Sequence, residues 1–337
     1  MGSILSNDLF NHVLIDPIKR GSRELFVLSG YASATMVSRQ FEYALKVLKC
    51  EISIDLHVGM SGKDGLSRSN LLGMQAIPRQ RLGQRFNCTF NVKGTSNHSK
   101  LYVWCSDSGP VEAFLGSSNF TQFGFGLLQS SAKHSEVCVA VDPNEAFNYV
   151  VDASQGSIGY QSSDIYEYID IYDDLKPEGM SQDHEELKSG NQESVVLPLI
   201  QLKGSESGQT HQKSGLNWGH REGREPNQAY IPVPSNVAQS NFFPSRGIHF
   251  QMTTDDGQAF ICTIAQDGDK ALETPFDNSI LGKYFRQRLG LEPGSFVSTE
   301  DLTRYGANAI RISKINAEFY HLDFKPGIVI PQVNTFR

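Results

Sequence analysis

A segment without sustained apolar periodicity divides the chain into two regions of short apolar runs. It covers residues 175–191, is acidic, and contains proline, glycine and serine. A stretch of this composition has little apolar surface to bury and is typical of a linker. The 337 residues are also enough for two ordinary domains. The sequence therefore predicts a first domain at residues 1–175, a linker at 176–194 and a second domain at 195–337.

The first domain combines strand-like runs with one helical pattern. Residues 35–48 carry apolar side chains near helical spacing. Around this stretch, apolar runs rich in β-forming residues recur at intervals, which predicts an α/β domain. The predicted strands are residues 25–29, 52–58, 86–92, 101–105, 113–115 and 137–141.

The second domain is predicted to be all-β with one or two short helices. Its short apolar runs are separated by turn sequences such as Asp255-Asp256-Gly257, and one helical pattern covers residues 280–289. Many short strands with turns between them are typical of a small barrel, so we expect a pseudobarrel. The predicted strands are residues 195–202, 226–234, 248–253, 259–265, 309–312 and 319–324.

Acidic and basic residues are unevenly distributed. The formal net charge is −7, which alone argues against a nucleic-acid partner because phosphate contacts dominate such affinity. However, residues 143–190 hold 2 basic against 11 acidic residues, whereas residues 1–142 hold 14 against 11. Lys283, Arg286 and Arg288 form a run without an intervening acid. A local basic surface that binds a polyanion is therefore compatible with the negative net charge of the chain.

The sequence lacks the marks of several protein classes. No stretch of about 18 apolar residues occurs and the N-terminal region has no apolar core, so we expect a cytoplasmic protein without membrane contact. The five cysteines form no CxxC pair, and four lie in apolar runs, which favours buried free thiols over zinc ligands or disulfides. No Walker-type glycine loop occurs, and no cofactor is predicted.

The most informative local pattern is Asn97-His98-Ser99-Lys100, which an apolar run follows. Residues two apart in an extended segment share a face, so His98 and Lys100 are predicted to project together at the start of a strand. Such a pair offers an imidazole nucleophile and a cation to the same phosphate.

A second pattern, Gly116-Ser117-Ser118-Asn119, ends a predicted strand in small polar residues. Ser117 and Asn119 can donate hydrogen bonds to phosphoryl oxygens. Glu136, at the start of a later strand, is a candidate to hold the imidazole in its useful tautomer. No Asp/Glu/His cluster with metal-ligand spacing accompanies these residues, so we expect metal-independent covalent chemistry.

An HxK motif followed by GSSN resembles the phospholipase D superfamily. In that superfamily a histidine attacks phosphorus to give a phosphohistidine, lysine and asparagine bind phosphate oxygens, and a second histidine protonates the leaving oxygen. By position, the resemblance implies that His98 is the nucleophile or the acid. It also implies that Lys100, Ser117 and Asn119 form the phosphate clamp and that Glu136 orients the imidazole.

The chain departs from the superfamily's usual motif at one position, and some of the site residues also have ordinary structural interpretations. The usual motif continues to an Asp where this chain has Cys105, although the nuclease branch often lacks that Asp. Ser117 and Asn119 could instead cap a following helix. Glu136 could be a strand-end carboxylate without a role in the site. His134, which lacks a lysine partner, is interpreted as a surface residue.

The chain has one HxK motif in this context. The other, His211-Gln212-Lys213, is followed by neither an apolar run nor a Gly-Ser-Ser-Asn turn. In-line displacement at phosphorus needs an attacking group on one side and an acid near the leaving oxygen on the other, and one imidazole cannot hold both positions in one step. The sequence therefore predicts a homodimer through the first domain, with one composite active site at its two-fold interface.

Two polar segments of the second domain are candidates for DNA recognition, because Arg, Asn, Gln and Glu can read base edges. With the strand pattern around them, they resemble the B3-like DNA-binding domain, in which two arms enter the major groove. Trp218 and Tyr284 could instead pack the bases of the arms, and the basic run could be an ordinary exposed helix face. The first-arm candidates are Lys213, Asn217, Trp218, Arg221, Arg224, Glu225, Asn227 and Gln228. The second-arm candidates are Asp277, Asn278, Ser279, Lys283, Arg286 and Arg288.

A phospholipase D-like domain followed by a B3-like domain resembles restriction endonucleases of the BfiI and NgoFVII type. The resemblance covers nearly the whole chain and implies a type II-like enzyme that cuts double-stranded DNA without metal. Some relatives work with an ATP-dependent helicase-like subunit and a cognate methyltransferase, which are therefore expected partners. The alternatives are an unspecific nuclease or a phosphatidyl-transferring enzyme of the same superfamily, and a DNA-binding regulator with an inactive nuclease domain.

Overall fold

The computed structural model describes residues 4–78, 86–128, 135–173 and 193–331. Its contacts divide the chain into two compact units, Met1–Leu187 and Lys188–Arg337, which are described here separately. Residues 176–192 of the predicted linker and His134 lie outside the described residues.

The first unit is built on a mixed seven-stranded sheet. The strands of the whole unit, including the two outside this sheet, are β1 (Glu24–Ser29), β2 (Ser53–Val58), β3 (Leu66–Ser67), β4 (Phe86–Phe90), β5 (Leu101–Ser106), β6 (Gly109–Gly116), β7 (Cys138–Val141), β8 (Ile158–Gly159) and β9 (Ile171–Tyr172). The sheet order is β7-β6-β5-β1-β2-β4-β8, and β3 pairs separately with β9. β1, β2 and β4 are parallel, whereas β5, β6 and β7 alternate in direction. All six predicted strands are confirmed, with differences at their ends.

Helices cover both faces of this sheet, as the α/β prediction requires. They are α1 (Asp16–Lys19), α2 (Ala34–Glu42), α3 (Ser61–Asp64), α4 (Arg68–Ala76), α5 (Pro143–Ala153) and α6 (Ile165–Tyr168). The predicted helix at residues 35–48 is confirmed as α2 and a π-helical turn, Tyr43–Val47. α5 was not predicted, although Asp142 caps its start by accepting the backbone N–H groups of Asn144 and Glu145 at 2.9 Å.

The two faces of the sheet have separate apolar contacts. On one face, α5 packs through Ala146 and Val150 against Leu28 and Val103. Trp104 is fully buried, and its indole N–H donates to the carbonyl of Val13 at 2.8 Å. Because neighbouring residues of a strand point to opposite faces, Trp104 ties the N-terminal helical segment to the face away from α5. The sheet is therefore a rigid support for the loops at its ends.

The second unit is a nearly closed seven-stranded sheet. Its strands are β10 (Ser194–Pro198), β11 (Ile231–Pro232), β12 (His249–Thr254), β13 (Ala259–Ala265), β14 (Ala271–Glu273), β15 (Ala309–Lys314) and β16 (Phe319–Asp323). Their order is β10-β15-β16-β12-β13-β14-β11, and the edge strands β10 and β11 approach each other. Of the predicted strand at residues 226–234, only β11 forms. Pro226, Pro232 and Pro234 lack the N–H groups that a longer strand would need.

One long helix belongs to the core of this second sheet. The helices are α7 (Ser235–Ala238), α8 (Ser279–Leu289) and α9 (Thr299–Tyr305), with a 3₁₀-helical turn at Gly215–His220. α8 confirms the predicted helix at residues 280–289 and buries Leu281, Tyr284 and Phe285 in the core. In neither unit does a described helix have the length and apolar character that crossing a bilayer requires.

Candidate active site

The predicted catalytic residues lie at one edge of the first sheet. Strands β1, β2 and β6 end at this edge, whereas β5 and β7 begin there, because of their parallel and antiparallel pairing. His98 and Lys100 precede β5, Ser117 and Asn119 follow β6, and Glu136 precedes β7. The sheet topology therefore brings together segments that are far apart in the sequence.

Local hydrogen bonds fix the segment that carries His98 and Lys100. The side-chain oxygen of Asn97 accepts the backbone N–H of Ser99 at 2.9 Å. Lys100 Nζ donates to the carbonyl of His98 at 2.6 Å. The His98 side chain is exposed, whereas Lys100 is only 6% exposed. The cation is thus held against the backbone of the residue that carries the imidazole.

The pKa values of both groups are lowered, and partial burial is the largest cause in each case. For His98, desolvation is the largest cause, the cations of Lys100 and Lys63 add to it, and the carboxylate of Asp64 opposes it. For Lys100, desolvation lowers the pKa and the charge of Glu136 raises it. A lowered imidazole pKa favours the neutral ring near pH 7, which is the state that a nucleophile needs.

The carboxamide of Asn119 is held by the end of β1. Its Oδ1 accepts the backbone N–H of Tyr31 at 3.2 Å and lies 3.4 Å from the hydroxyl of Ser29. A Cβ on Gly30 would lie 2.8 Å from His98 Cδ2 and 3.5 Å from Asn119 Oδ1. Glycine at this position therefore leaves room for the His98 ring, whereas the distance to Asn119 is an ordinary contact. With its oxygen engaged, the carboxamide directs its NH₂ group elsewhere as a donor.

The chain after Asn119 forms turns over residues 121–128. One of these turns is fixed by Thr121, whose hydroxyl oxygen accepts the N–H of Gly124 at 3.0 Å. The interpretation that Ser117 and Asn119 cap a following helix is therefore wrong.

Ser117 and Glu136 bind each other. The hydroxyl of Ser117 donates to the Glu136 carboxylate and accepts the N–H of Val137 at 3.0 Å. Gly116 makes the close approach of the two strands possible, because a Cβ there would lie 2.2 Å from the carbonyl of Val137. The Glu136 charge acts on Lys100. The structure thus pairs Glu136 with the clamp residues and not with His98, which departs from the orienting role that the resemblance implied.

At the surface of the first predicted arm, Arg224 stacks on Trp218 and is hydrogen-bonded to Gln228. The guanidinium carbon of Arg224 lies 3.7 Å from the centroid of a Trp218 ring, and its Nη1 donates to Gln228 Oε1 at 2.9 Å. Arg221 Nε donates to the carbonyl of Lys213 at 2.6 Å. Arg224 and Arg221 are exposed. A guanidinium fixed over an aromatic face keeps N–H donors available at the surface.

Other residues of the first arm form its internal framework. Asn217 is 1% exposed, donates to the carbonyls of His211 and Val297 at 2.8 Å, and accepts the N–H of Val297 at 2.8 Å. Asn227 is buried and donates to the Glu225 carboxylate at 2.8 Å. The prediction that Asn217 contacts DNA is therefore wrong, because its amide is fully used inside the protein. Asn227 is likewise used inside the arm, whereas Glu225 is exposed and its DNA contact stays a prediction.

Two of the six second-arm candidates, Ser279 and Arg286, are buried because α8 is a core helix. Arg286 is 1% exposed and donates to the carbonyls of Ser295, Gly282, Leu216 and Pro226. A guanidinium enclosed in this way cannot reach a nucleic acid without unfolding its surroundings.

The remaining second-arm residues are partly structural as well. Arg288 binds the Asp255 carboxylate through two bonds of 3.0 Å. Ser279 is buried, and its N–H donates to Asp277 Oδ1 at 3.0 Å. Asn278 Nδ2 donates to Glu273 at 3.2 Å. Lys283 is exposed. The basic run at 283–288 therefore offers one surface cation instead of the three that the sequence indicated.

Two family models match the chain and cover most of its length. The NgoFVII restriction endonuclease N-terminal PLD domain matches residues 7–167, and the NgoFVII C-terminal B3-like DNA-binding domain matches residues 191–316. The chain belongs to the NgoFVII restriction endonuclease family. Both parts of the predicted resemblance are thereby confirmed. As a member of this family the chain carries a PLD-like nuclease domain and a B3-like domain, which supports DNA as its partner.

Other comparisons add little to the family assignment. Among curated proteins no match to the chain was found. Among solved structures, the crystal structure of polyphosphate kinase from Porphyromonas gingivalis is 15% identical, with a TM-score of 0.29. That match covers 48% of this chain and spans 25% of the kinase chain. A likeness at this TM-score carries no argument about fold or activity.

The nuclease domain of this family member contains site residues that the sequence did not indicate. The Tyr31 ring lies edge-on to the His98 ring with 5.8 Å between centroids, and its hydroxyl donates to Asp64 Oδ2 at 2.5 Å. Tyr31 follows a strand-ending Ser29-Gly30, a position at which the chain enters the same sheet edge as His98. Asp64, at the end of α3, had no sequence pattern to mark it.

A buried polar network lies behind the same edge. His57 is 1% exposed, with ring nitrogens 2.9 Å from Thr89 Oγ1 and 2.9 Å from Asn91 Oδ1. Asn91 Nδ2 donates to the carbonyl of Gly59 at 2.9 Å, and the same carbonyl accepts the N–H of Asn97 at 2.7 Å. Hydrogen bonds thus connect the sheet interior to the residue before His98.

A groove of about 310 Å³ adjoins the site on the side of α5. Its lining includes Ser99, Leu115 and Tyr149. The Tyr149 hydroxyl lies 3.4 Å from Ser99 Oγ and from Asn97 Nδ2, and these contacts lower the pKa of Tyr149. Within the four described ranges, no group of three or more His, Cys, Asp or Glu side chains could hold a metal ion.

Proposed function

We propose that this member of the restriction endonuclease family cuts DNA at specific sites, without a metal ion, through a phosphohistidine on His98. The observation that carries the proposal is the convergence of His98, Lys100 and Asn119 at one sheet edge. An imidazole, an ammonium and a carboxamide NH₂ are the nucleophile and the donors that displacement at a phosphodiester requires.

The reaction has two steps. First, a ring nitrogen of neutral His98 attacks phosphorus while the P–O bond to the leaving oxygen breaks, and that oxygen takes a proton from an imidazolium on the opposite side. Second, water attacks the phosphohistidine, the P–N bond breaks, and the imidazole on the opposite side takes a proton from the water. Lys100 and Asn119 donate to the non-bridging oxygens during both steps. Both imidazoles end in their starting states.

The acid on the opposite side is His98 of a second copy, since the nuclease domain has one HxK motif. Leu115 and Val137 are 42% and 41% exposed beside Ser117 and Glu136, and the groove lies next to them. Exposed apolar side chains beside a site favour a protein contact there. We expect Leu115→Glu to give a monomer that does not cut DNA. Val196→Glu, an equally exposed position in the other unit, serves as the control.

The B3-like domain supplies sequence recognition through its first arm. Arg224 and Arg221 are exposed and Arg224 is oriented by Trp218 and Gln228, as described above. Arginine binds guanine through two parallel hydrogen bonds in the major groove, and a fixed guanidinium loses less entropy when it binds. The expected helicase-like subunit, methyltransferase and cytoplasmic location stay predictions.

The direct experiment is incubation of the protein with plasmid DNA in EDTA, with His98→Ala as the control. Discrete fragments from the wild type and none from the variant support the proposal. Random nicking would identify an unspecific nuclease, and binding without cutting would identify a regulator. A denaturing quench with end-labelled DNA then traps the intermediate. The adduct should be stable to alkali, labile to acid and absent from His98→Ala.

A further inference from the structure

Tyr31 contacts two of the groups that the proposed reaction uses, His98 and Asn119. Its ring lies edge-on to the imidazole of His98, with centroids 5.8 Å apart and planes at 78°. Its backbone N–H donates to the carboxamide oxygen of Asn119 at 3.2 Å. The Ser29 hydroxyl in turn donates to the Tyr31 carbonyl at 2.6 Å and fixes this backbone. One residue thus connects the nucleophile with a phosphate ligand.

Asp64 holds the outer end of the Tyr31 side chain. The hydroxyl of the half-buried Tyr31 donates to Oδ2 of the exposed Asp64 at 2.5 Å. α3 is a short helix that starts at buried Ser61, whose hydroxyl lies 2.9 Å from the carbonyl oxygen of Asn91 and 3.1 Å from that of Val58. Asp64 therefore lies on a helix that is hydrogen-bonded to the sheet edge, and not on a free loop.

The charged groups that act on His98 come from two directions. Lys100 approaches from its own segment, and Lys63 and Asp64 approach from α3. Glu136, from the start of β7, binds Ser117 and acts on Lys100 instead. Of these groups, Asp64 is the carboxylate that stabilises an imidazolium at His98.

We propose that Tyr31 and Asp64 are positioning residues for His98: the Tyr31 ring sets the orientation of the imidazole, and Asp64, fixed by the Tyr31 hydroxyl, supplies the carboxylate that its charged state requires. This inference rests on the proposed function of His98. It assigns to Asp64 the role that the family resemblance gave to Glu136. Neither side chain needs to touch the DNA.

The test is the pH–rate profile of single-turnover DNA cleavage at saturating protein, in EDTA and at low ionic strength. The reaction needs one neutral and one protonated His98, so both limbs of the profile follow its pKa. Removing a nearby negative charge lowers an imidazole pKa. We therefore expect Asp64→Asn to move the whole profile to lower pH by about half a unit.

Tyr31→Phe keeps the ring and removes the bond to Asp64. We expect it to move the profile in the same direction, and the double variant to match Asp64→Asn alone, because both changes act through one contact. Lys63→Gln should move the profile to higher pH, since it removes a positive charge. Asp107→Asn, an exposed carboxylate at the opposite end of β5, should leave the profile unchanged.

Two failures are distinguishable. If the wild type does not cut, or cuts as fast as His98→Ala, the proposed function is wrong. If cutting depends on His98 but Asp64→Asn has the wild-type profile, only the positioning role is wrong. A Tyr31→Phe shift that adds fully to that of Asp64→Asn overturns the coupling between the two residues. Melting temperatures of the Tyr31→Phe and Asp64→Asn variants should stay close to that of the wild type, since Asp64 is exposed and Tyr31→Phe keeps the half-buried ring.

Discussion

The carbonyl of Gly59 accepts the backbone N–H of Asn97 at 2.7 Å, one residue before His98. A Cβ on Gly59 would lie 2.0 Å from the carbonyl oxygen of Asn97. The two segments can pack this closely only because residue 59 has no side chain. The position of the proposed nucleophile therefore depends on a glycine that never touches the substrate.

Gly59→Ala should slow cleavage about 100-fold, because a displacement of the nucleophile by roughly 1 Å has an effect of that size. DNA affinity should not change, since the B3-like domain is unaltered. Single-turnover cleavage and binding to the same duplex measure the two quantities. Gly159→Ala is the matched control, because a Cβ there meets no atom within 4 Å. Equal rates for both variants would contradict the packing argument.

Asn119 and Ser117 should differ sharply as phosphate ligands. The Ser117 hydroxyl already donates to Glu136, whereas Asn119 is bound through its oxygen and keeps its NH₂ group for the substrate. We expect Asn119→Ala to lower the cleavage rate about 100-fold or more, as loss of a transition-state donor does. Ser117→Ala should cost less than about tenfold on the same scale. An equal loss of rate for both variants would mean that Ser117 also binds the phosphate, as the sequence predicted.

Sequence reasoning found the fold of both units and the elements that carry His98, Lys100 and Asn119. It succeeded there because strand periodicity and the two motifs are local in the sequence. It missed Tyr31 and Asp64, which reach the site only through the order of the strands. It also placed Ser279 and Arg286 in a DNA-binding arm although both are buried, because a cationic run does not show which of its members point inward.

Arg288 shows why a core arginine cannot be distinguished from a surface arginine by composition. Its guanidinium binds Asp255 and stacks near Tyr284, Tyr305 and Phe324. Tyr284 lies one turn earlier on α8, but Asp255, Tyr305 and Phe324 are at least 17 residues away in the sequence and lie outside this helix. A surface arginine and a core arginine therefore have the same local pattern until the fold is known.

Arg224→Ala should weaken binding to the cognate site by about 1 to 3 kcal/mol and relax the choice of one base pair. The reason is that Trp218 and Gln228 fix the guanidinium before it meets DNA. The measurement is binding to a panel of single-base variants of the cleaved site. Arg311→Ala removes an exposed arginine from β15 and serves as the charge-matched control. If both variants lose affinity equally for every duplex, Arg224 contacts phosphates only.

Breaking the Arg288–Asp255 pair should destabilise the second unit in a pH-dependent way. Burial alone would raise the pKa of Asp255, but the bonds from Arg288 and from the N–H of Phe324 bring it below its ordinary value. A depressed carboxyl pKa stabilises the fold above the unfolded-state value, and this contribution is lost as the pH falls. Arg288→Met should cost about 3 kcal/mol at pH 7, because it leaves a buried charge without its partner.

Urea unfolding at pH 7 and at pH 4 measures this effect. The gap between wild type and Arg288→Met should narrow at pH 4, since protonation of Asp255 removes the unpaired charge. Arg304→Met is the control, because the Arg304–Asp301 pair is exposed on its arginine side and should be worth less than about 1 kcal/mol. A gap of constant size at both pH values would show that lost packing, and not charge, explains the effect.

The central claim is that two copies of His98 act on one phosphorus atom. Mixing wild type with His98→Ala under conditions of subunit exchange tests it directly, with total protein held constant. If the site needs both imidazoles, cleavage falls with the square of the wild-type fraction, so an equal mixture retains about a quarter of the activity. Retention of about half of the activity, in proportion to the wild-type fraction, would mean that each chain carries a complete site.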